Sequence, residues 1–290
     1  MIKFFKKLFG KSDPVVPVLR LSGMIAASSG PRRGLSMAGM APLIDKAFEV
    51  KGAKAVALVI NSPGGSPVQS SLIYDRIRYL SREKDIPVLA FVEDVAASGG
   101  YWLACAGDEI YVNASSVVGS IGVVSAGFGF VDAIEKLGVT RRVYTAGKRK
   151  VMLDPFQPEN EGDIDHLKTL QKDIHDQFTA LVRHRRGSKL TAPEDDLFSG
   201  AFWTGLKAVE LGLADKTGEI RQVLKERFGD KVQIKLIEGK KSMLGLGGGA
   251  SGVFGKAALS QDMSDTFADA MIDSAIHRAN EMSLRQRLGL

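Results

Sequence analysis

The chain predicts an α/β fold built on a sheet with parallel components. Uninterrupted aliphatic runs at Ala55–Ile60 and Ile86–Val92 read as strands buried on both faces. Amphipathic helical stretches alternate with such runs, with little internal repetition. Turns rich in small residues, Asn61–Ser66 and Ala97–Gly100, stand at the strand ends, where α/β proteins place their chemistry.

Composition narrows the function classes. A chain of 290 residues accommodates one large domain with appendages. The net charge of +6 invites nucleic acid, but the cations are spread out and lack interleaved aromatics, so no nucleic-acid binding is expected. The single Cys105 excludes an internal disulfide framework and any CxxC metal site. His166, His175 and His184 recur every nine residues, successive ones on opposite helix faces, and no HExxH spacing exists. They read as solvated helix histidines, and neither a metal nor a cofactor is expected.

Residues 1–11 place Ile2, Phe4, Phe5, Leu8 and Phe9 on one helical face and Lys3, Lys6, Lys7 and Lys11 opposite. The segment is too short and too charged to span a bilayer and lacks the apolar centre of a signal peptide. It suits peripheral contact with anionic lipid, with a frayed terminus or a partner-docking helix as alternatives. Salt-sensitive liposome binding, lost on deleting residues 1–11, is the expected signature; equal flotation of the truncated chain would dispose of it.

The main domain is expected over 12–238. Its elements are a strand from Val15 to Ile25, a helix through Leu43, Ile44, Ala47 and Phe48, and the strand Ala55–Ile60. A helix with Leu72, Ile73, Ile77 and Leu80 on one stripe follows, then the strand Ile86–Val92 and a helix Tyr101–Ala106. Next come strands Glu109–Val112 and Ile121–Val124, a helix through Val131, Ile134 and Leu137 that stops at Gly138, and a strand Val139–Thr145. The uncharged stretch from Ile110 to Val131 is too rich in Asn, Ser and Gly for a membrane span. A long helix covers Asn160–Arg186 with Leu167, Leu170, Ile174, Phe178, Leu181 and Val182 as its apolar stripe. A helix ended by Gly212, a helix Thr217–Phe228 and a strand Val232–Ile237 close the domain. Residues 239–260 read as a Gly- and Ser-rich linker and 261–290 as an amphipathic docking helix.

Ser98 is the candidate nucleophile. Small neighbours allow a sharp turn after a strand, and a following helix would present backbone N–H groups beside its hydroxyl. The alternative is a plain helix N-cap. Gly64 and Gly65 supply bare amides that suit an oxyanion hole, since no GxxxxGK[ST] phosphate loop exists. A hydroxyl nucleophile needs a base, and Lys150, in the loop after a strand, is a candidate. Lys148 is equally placed by position alone. A lysine base must be neutral; at pH 7 and pKa ~10.4 only about 0.04 % of the amine is free. Lowering the pKa to near 7 requires roughly 4.6 kcal/mol, which desolvation in an apolar pocket supplies. Ser120, in Gly119–Gly122, is available to orient the amine.

Asn61–Gly65, Asp94–Tyr101, Gly119–Val123 and Gly147–Lys150, in this order and spacing, resemble the signal peptide peptidase A family. Trp203-Thr204-Gly205, followed by Ala208 and Gly212–Asp215, matches its closing motif and that of the Clp-protease/crotonase superfold. The resemblance implies a core of repeated β-β-α units with extra helices, flanked by the terminal amphipathic segments. It implies a Ser-Lys dyad of Ser98 and Lys150, with Ser120 hydrogen-bonding the lysine and the amides of Gly64 or Gly65 and of Gly99 as the oxyanion hole. It further implies a homo-oligomeric ring or dome, an octamer among the sizes, with the dyad formed either within one chain or, in single-domain forms, by the lysine reaching a neighbour's serine. Peptides from signal-peptide remnants or other unfolded or membrane-derived chains are the implied substrates. Family members usually begin with a transmembrane anchor; this chain shows none, so a cytoplasmic protein, peripheral on the inner membrane surface, is expected. A crotonase-like acyl-CoA enzyme and a non-catalytic scaffold at the membrane surface are the alternatives.

Overall fold

The computed structural model describes residues 13–27, 34–147 and 149–238. The segments expected at 1–11, 239–260 and 261–290 lie outside the described residues. Strand β1 (Val15–Ser22) is followed by α1 (Met37–Phe48), whose N-cap Ser36 accepts from the Gly39 N–H. Strand β2 (Val56–Ser62) leads into α2 (Pro67–Lys84), with Ser66 as N-cap and Pro67 in the first turn, where no N–H is needed. Then come β3 (Val88–Ala97), α3 (Gly99–Ala104), β4 (Glu109–Val112) and β5 (Val117–Gly119). Helix α4 (Val131–Lys136) precedes the long α5 (Glu161–Arg186), and α6 (Glu194–Leu197) is a single turn. Strand β6 (Phe202–Thr204), α7 (Gly205–Glu210), β7 (Lys216–Thr217), α8 (Ile220–Phe228) and β8 (Gln233–Leu236) complete the order.

The sheet runs β6-β5-β3-β2-β1-β8, with β4 and β7 branching from β3. Every pairing is parallel except β5 with β6. Strand β3 forks: Leu89–Val92 pair with β4, whereas Val95–Ala97 pair with β5. Against β2 its register jumps from Ile60↔Val92 to Ser62↔Ala96, a bulge around Glu93 and Asp94 that re-aims the end of the strand. Alternating strand residues feed two cores. Leu19, Leu21, Leu58, Ile60, Ala90 and Val92 pack with residues of α1, α2, α3 and α5 on one face. Val16, Val18, Ala57, Val59, Leu89 and Phe91 pack against Val223 and Leu224 of α8 on the other.

Several sequence expectations are corrected. No strand forms at Ile121–Val124 or Val139–Thr145. The outer edge of β5 is taken by β6, which pairs with it antiparallel in place of either run. Ile121 is buried, but Val124 is 64 % exposed, Val139 56 % and Tyr144 90 %. In α2 the buried stripe is Ile73, Ile77 and Leu80, while Leu72 faces outward. Only Phe178 and Val182 of the expected α5 stripe are buried, and Leu170 is exposed. From Gly122 to Gln177 no described residue is buried. This stretch, an arm (residues 122–160) plus the first four turns of α5, nevertheless has local order. Phe130 N–H donates to Pro155 O at 2.6 Å, Arg141 pairs with Asp154 at 2.8 Å, and the Phe130 and Phe156 rings stack at 5.4 Å.

The C-terminal end of α5 is fastened to the core. Arg185 Nε donates to Cys105 O at 2.9 Å and its Nη2 to Gly107 O at 2.8 Å. Arg186, buried, donates from Nε to Gly212 O and from Nη1 to Asp215 Oδ2 at 2.7 Å.

Candidate active site

The bulged end of β3 delivers the chain to Ser98, which takes φ 52° and ψ −123°. A non-glycine residue there is strained, and the surroundings hold it in place. Its N–H donates to Gly119 O at 2.8 Å, and its carbonyl accepts from Tyr101 and Trp102 N–H. Its side chain makes no capping bond to α3, so the plain N-cap reading fails. The hydroxyl instead faces an open cavity of about 840 Å³.

The turn after β2 packs directly on this elbow. Ser62, fully buried, donates from Oγ to Gly23 O at 2.7 Å and accepts from the Gly64 N–H at 3.2 Å. A Cβ at Gly64 would lie 2.8 Å from Ala97 O and from Gly99 N, and its φ of +104° also favours glycine. The Gly64 amide is thus already engaged. Gly65 lines the cavity, and among the described residues its N–H has no hydrogen-bond partner; the same holds for the Gly99 N–H. Ile25 fixes this turn from the other side, accepting from Ser66 N–H at 2.7 Å and donating to Gly64 O at 2.8 Å.

Ser120 lines the same cavity. It too has positive φ, 53°, and its N–H donates to Ala201 O at 2.7 Å, which ties it to the loop before β6. Pro63, Pro67, Val123, Phe198 and Phe202 give the cavity apolar walls.

The structure therefore brings together Ser98, Ser120 and Gly65, with Gly64 and Gly99 packed behind them. Lys150 is not among them. It lies in a turn of the arm, exposed, and does not line the cavity. Lys148 lies outside the described residues.

Two basic side chains on α5 do line the cavity: Lys172, which sequence reasoning passed over, and His175, which it read as a solvated helix histidine. Lys172 Nζ donates to Asp176 at 2.5 Å, and this bond raises its pKa above the ordinary 10.5, the opposite of what a general base needs. His175 stands 3.2 Å through Nε2 from Ile121 O and fastens the residue after Ser120 to α5. Its position three before Phe178 and seven before Val182 puts it on the inward face, a signal that a count of histidine spacings overlooked. Among the described residues no cluster suited to a metal ion occurs. No helix among them is long and apolar enough to cross a membrane.

The model of peptidase family S49 matches residues 81–233, more than half of the chain. A Brucella abortus protein named Na(+)/H(+) antiporter NhaA is 53% identical over 244 residues, covering 84% of this chain and 33% of its own length. The chloroplastic serine protease SPPA of Arabidopsis thaliana is 33% identical over 232 residues, covering 75% of this chain and 32% of its own. The chain thus spans about a third of the length of these two relatives. A solved structure of the 1510-N membrane-bound stomatin-specific protease superposes with a TM-score of 0.50 at 15% identity, covering 79% of this chain and all of that one. At that identity the likeness speaks for the fold alone, a mixed α/β architecture.

Proposed function

The chain belongs to peptidase family S49, and from that premise we propose that it is a serine endopeptidase whose nucleophile is Ser98 and whose general base is Lys150 of a neighbouring copy. The observation that carries this reading is the strained, uncapped Ser98 facing a cavity that also holds Ser120 and the Gly65 backbone.

The chemistry follows from the groups present. A neutral lysine amine takes the Ser98 proton as Oγ attacks the scissile carbonyl, and the carbonyl oxygen becomes an anion. The N–H groups of Gly65 and Gly99 receive that anion; Gly64, committed to Ser62, orients the turn instead. The resulting ammonium gives its proton to the leaving amine, and the acyl-enzyme is released when the same lysine activates water. Ser120 accepts a hydrogen bond from the amine and aims it. A lysine drawn into an apolar, water-poor cleft is favoured in its neutral form.

Two observations support the choice of base. Lys172, the lysine that lines the cavity, is held charged by Asp176. Lys150 sits on an arm in which no described residue is fully buried, and Phe128 is 80 % exposed, Leu137 77 % and Tyr144 90 %. An apolar surface of this extent is suited to another subunit. The substrates are extended peptides with small or apolar side chains at the scissile bond, in keeping with the Pro63, Pro67, Phe198 and Phe202 walls.

Ser98→Ala and Lys150→Ala are each expected to lower turnover of a fluorogenic peptide by at least about a thousandfold while fold and assembly persist. Ser98→Ala also loses labelling by a fluorophosphonate. Unchanged turnover in both variants ends the dyad. Acyl-CoA turnover indifferent to Ser98 would favour the crotonase-like alternative.

A further inference from the structure

Charge is divided along the arm and the helix that follows it. From Lys136 to Leu153 every charged residue is a cation, including Arg141, Arg142, Arg149 and Lys150. From Asp154 to Asp165 every charged residue is an acid, namely Asp154, Glu159, Glu161, Asp163 and Asp165. Blocks this close in sequence have every opportunity to neutralise each other within one chain. Among the described residues only Arg141 and Asp154 do so, at 2.8 Å. None of Arg142, Arg149, Lys150, Glu159, Glu161, Asp163 or Asp165 makes an ion pair with a described residue.

The acidic block also has a meaningful place. Glu161 and Asp165 stand one turn apart on exposed positions of α5, whose Gln171 and His175 wall the Ser98 cavity. At 1.5 Å per residue, Asp165 lies about 10 Å along the axis from Lys172, which stands two turns on along the same face and also walls the cavity. A second copy that brings its arm to this cavity therefore passes the acidic opening of α5.

We propose that the acidic start of α5 is the docking surface for the basic arm of a second copy of this chain, setting the register in which the arm enters the Ser98 cavity. This rests on the reading that Lys150 acts on a neighbour's Ser98. The two patches differ and sit on the same chain, so the contact is heterologous: the arm of one copy meets the helix of the next. Apolar side chains of the arm provide the burial, and the charges provide orientation and exclude misaligned pairings.

The test uses the full chain and reads assembly by light scattering alongside peptide turnover. Glu161→Lys/Asp165→Lys and, separately, Arg142→Glu/Arg149→Glu each place like charges face to face. Each is expected to weaken association by about tenfold or more at low salt, with the difference from wild type narrowing near 1 M salt as screening sets in. The quadruple variant, in which the two signs are exchanged, is expected to recover both assembly and turnover. Circular dichroism separates loss of the helix from loss of the contact, and the quadruple variant keeps the test decisive if one double variant folds poorly. Wild-type assembly in both double variants, or no recovery in the quadruple variant, overturns the proposal. So does a changed KM with assembly intact, which would assign the acidic patch to basic peptide substrates instead. A mixture of Ser98→Ala and Lys150→Ala chains serves as the control. If it regains activity while the charge exchange has no effect, the docking surface is wrong and the shared dyad stands; if it stays inactive, the shared dyad itself is wrong.

Discussion

Ser98 holds a backbone conformation, φ 52°, that costs on the order of 1–3 kcal/mol for a side-chain-bearing residue. Hydrogen bonds from its N–H to Gly119 O and to its carbonyl from Tyr101 and Trp102 keep it there. Gly64 completes the restraint from the facing turn, since its backbone lies where a Cβ would meet Ser98 Cβ at 2.9 Å. Gly64→Ala is accordingly expected to lower the thermal midpoint and to cut turnover by at least about tenfold, because the elbow must shift to make room. A variant with wild-type turnover would show that the turn and the elbow are not mechanically joined. The strand and the turn after it were legible in the sequence as an aliphatic run into Ala-Ala-Ser-Gly-Gly, but that segment alone fitted a plain N-cap equally, and only the other short motifs pointed to a nucleophile. The division of labour between Gly64 and Gly65 was not, since it depends on where the Ser62 hydroxyl points.

At the scale of elements, α5 has two halves with different environments. Its last turns are locked to the core through Arg185 and Arg186, whereas no residue before Phe178 is buried. Arg186 and Lys189 both donate to Asp215, and Ile110 N–H donates to the same carboxylate at 2.8 Å. Burial pushes the Asp215 pKa up, but these bonds outweigh it and hold the carboxyl below its ordinary 3.8. A group whose folded pKa is depressed contributes stability above its unfolded value and loses it as pH falls through the folded one. Asp215→Asn is therefore expected to cost about 3 kcal/mol at neutral pH, leaving the buried Arg186 without its charged partner. The gap between variant and wild type should shrink as pH falls below 3.8, as read from urea midpoints. A gap that does not change with pH would contradict the account. The strands expected at Ile121–Val124 and Val139–Thr145 were misread for a related reason. Hydrophobicity says that a segment avoids water, and it says nothing of whether its cover is its own sheet or another chain. Val139 and Tyr144 are left 56 % and 90 % exposed.

For the whole molecule, one chain supplies an elbow, amide donors and an apolar cleft, and it carries its candidate base out on an arm. The parallel sheet was legible from the alternation of strands and helices, and the family from the order of its short motifs. The separation of Ser98 from Lys150 was not, because residue order along a chain does not reveal which loops share a cavity. His175 was likewise missed, since its role comes from facing Ile121 rather than from any spacing to another histidine. The proposed active centre is shared between copies, and one mixing experiment reaches this directly. Ser98→Ala and Lys150→Ala chains, each inactive alone, are dissociated, combined in equal amounts and reassembled. Random pairing places an intact serine opposite an intact lysine at about a quarter of the contacts, so about a quarter of wild-type peptide turnover is expected. A reassembled mixture as inactive as its components would contradict the account.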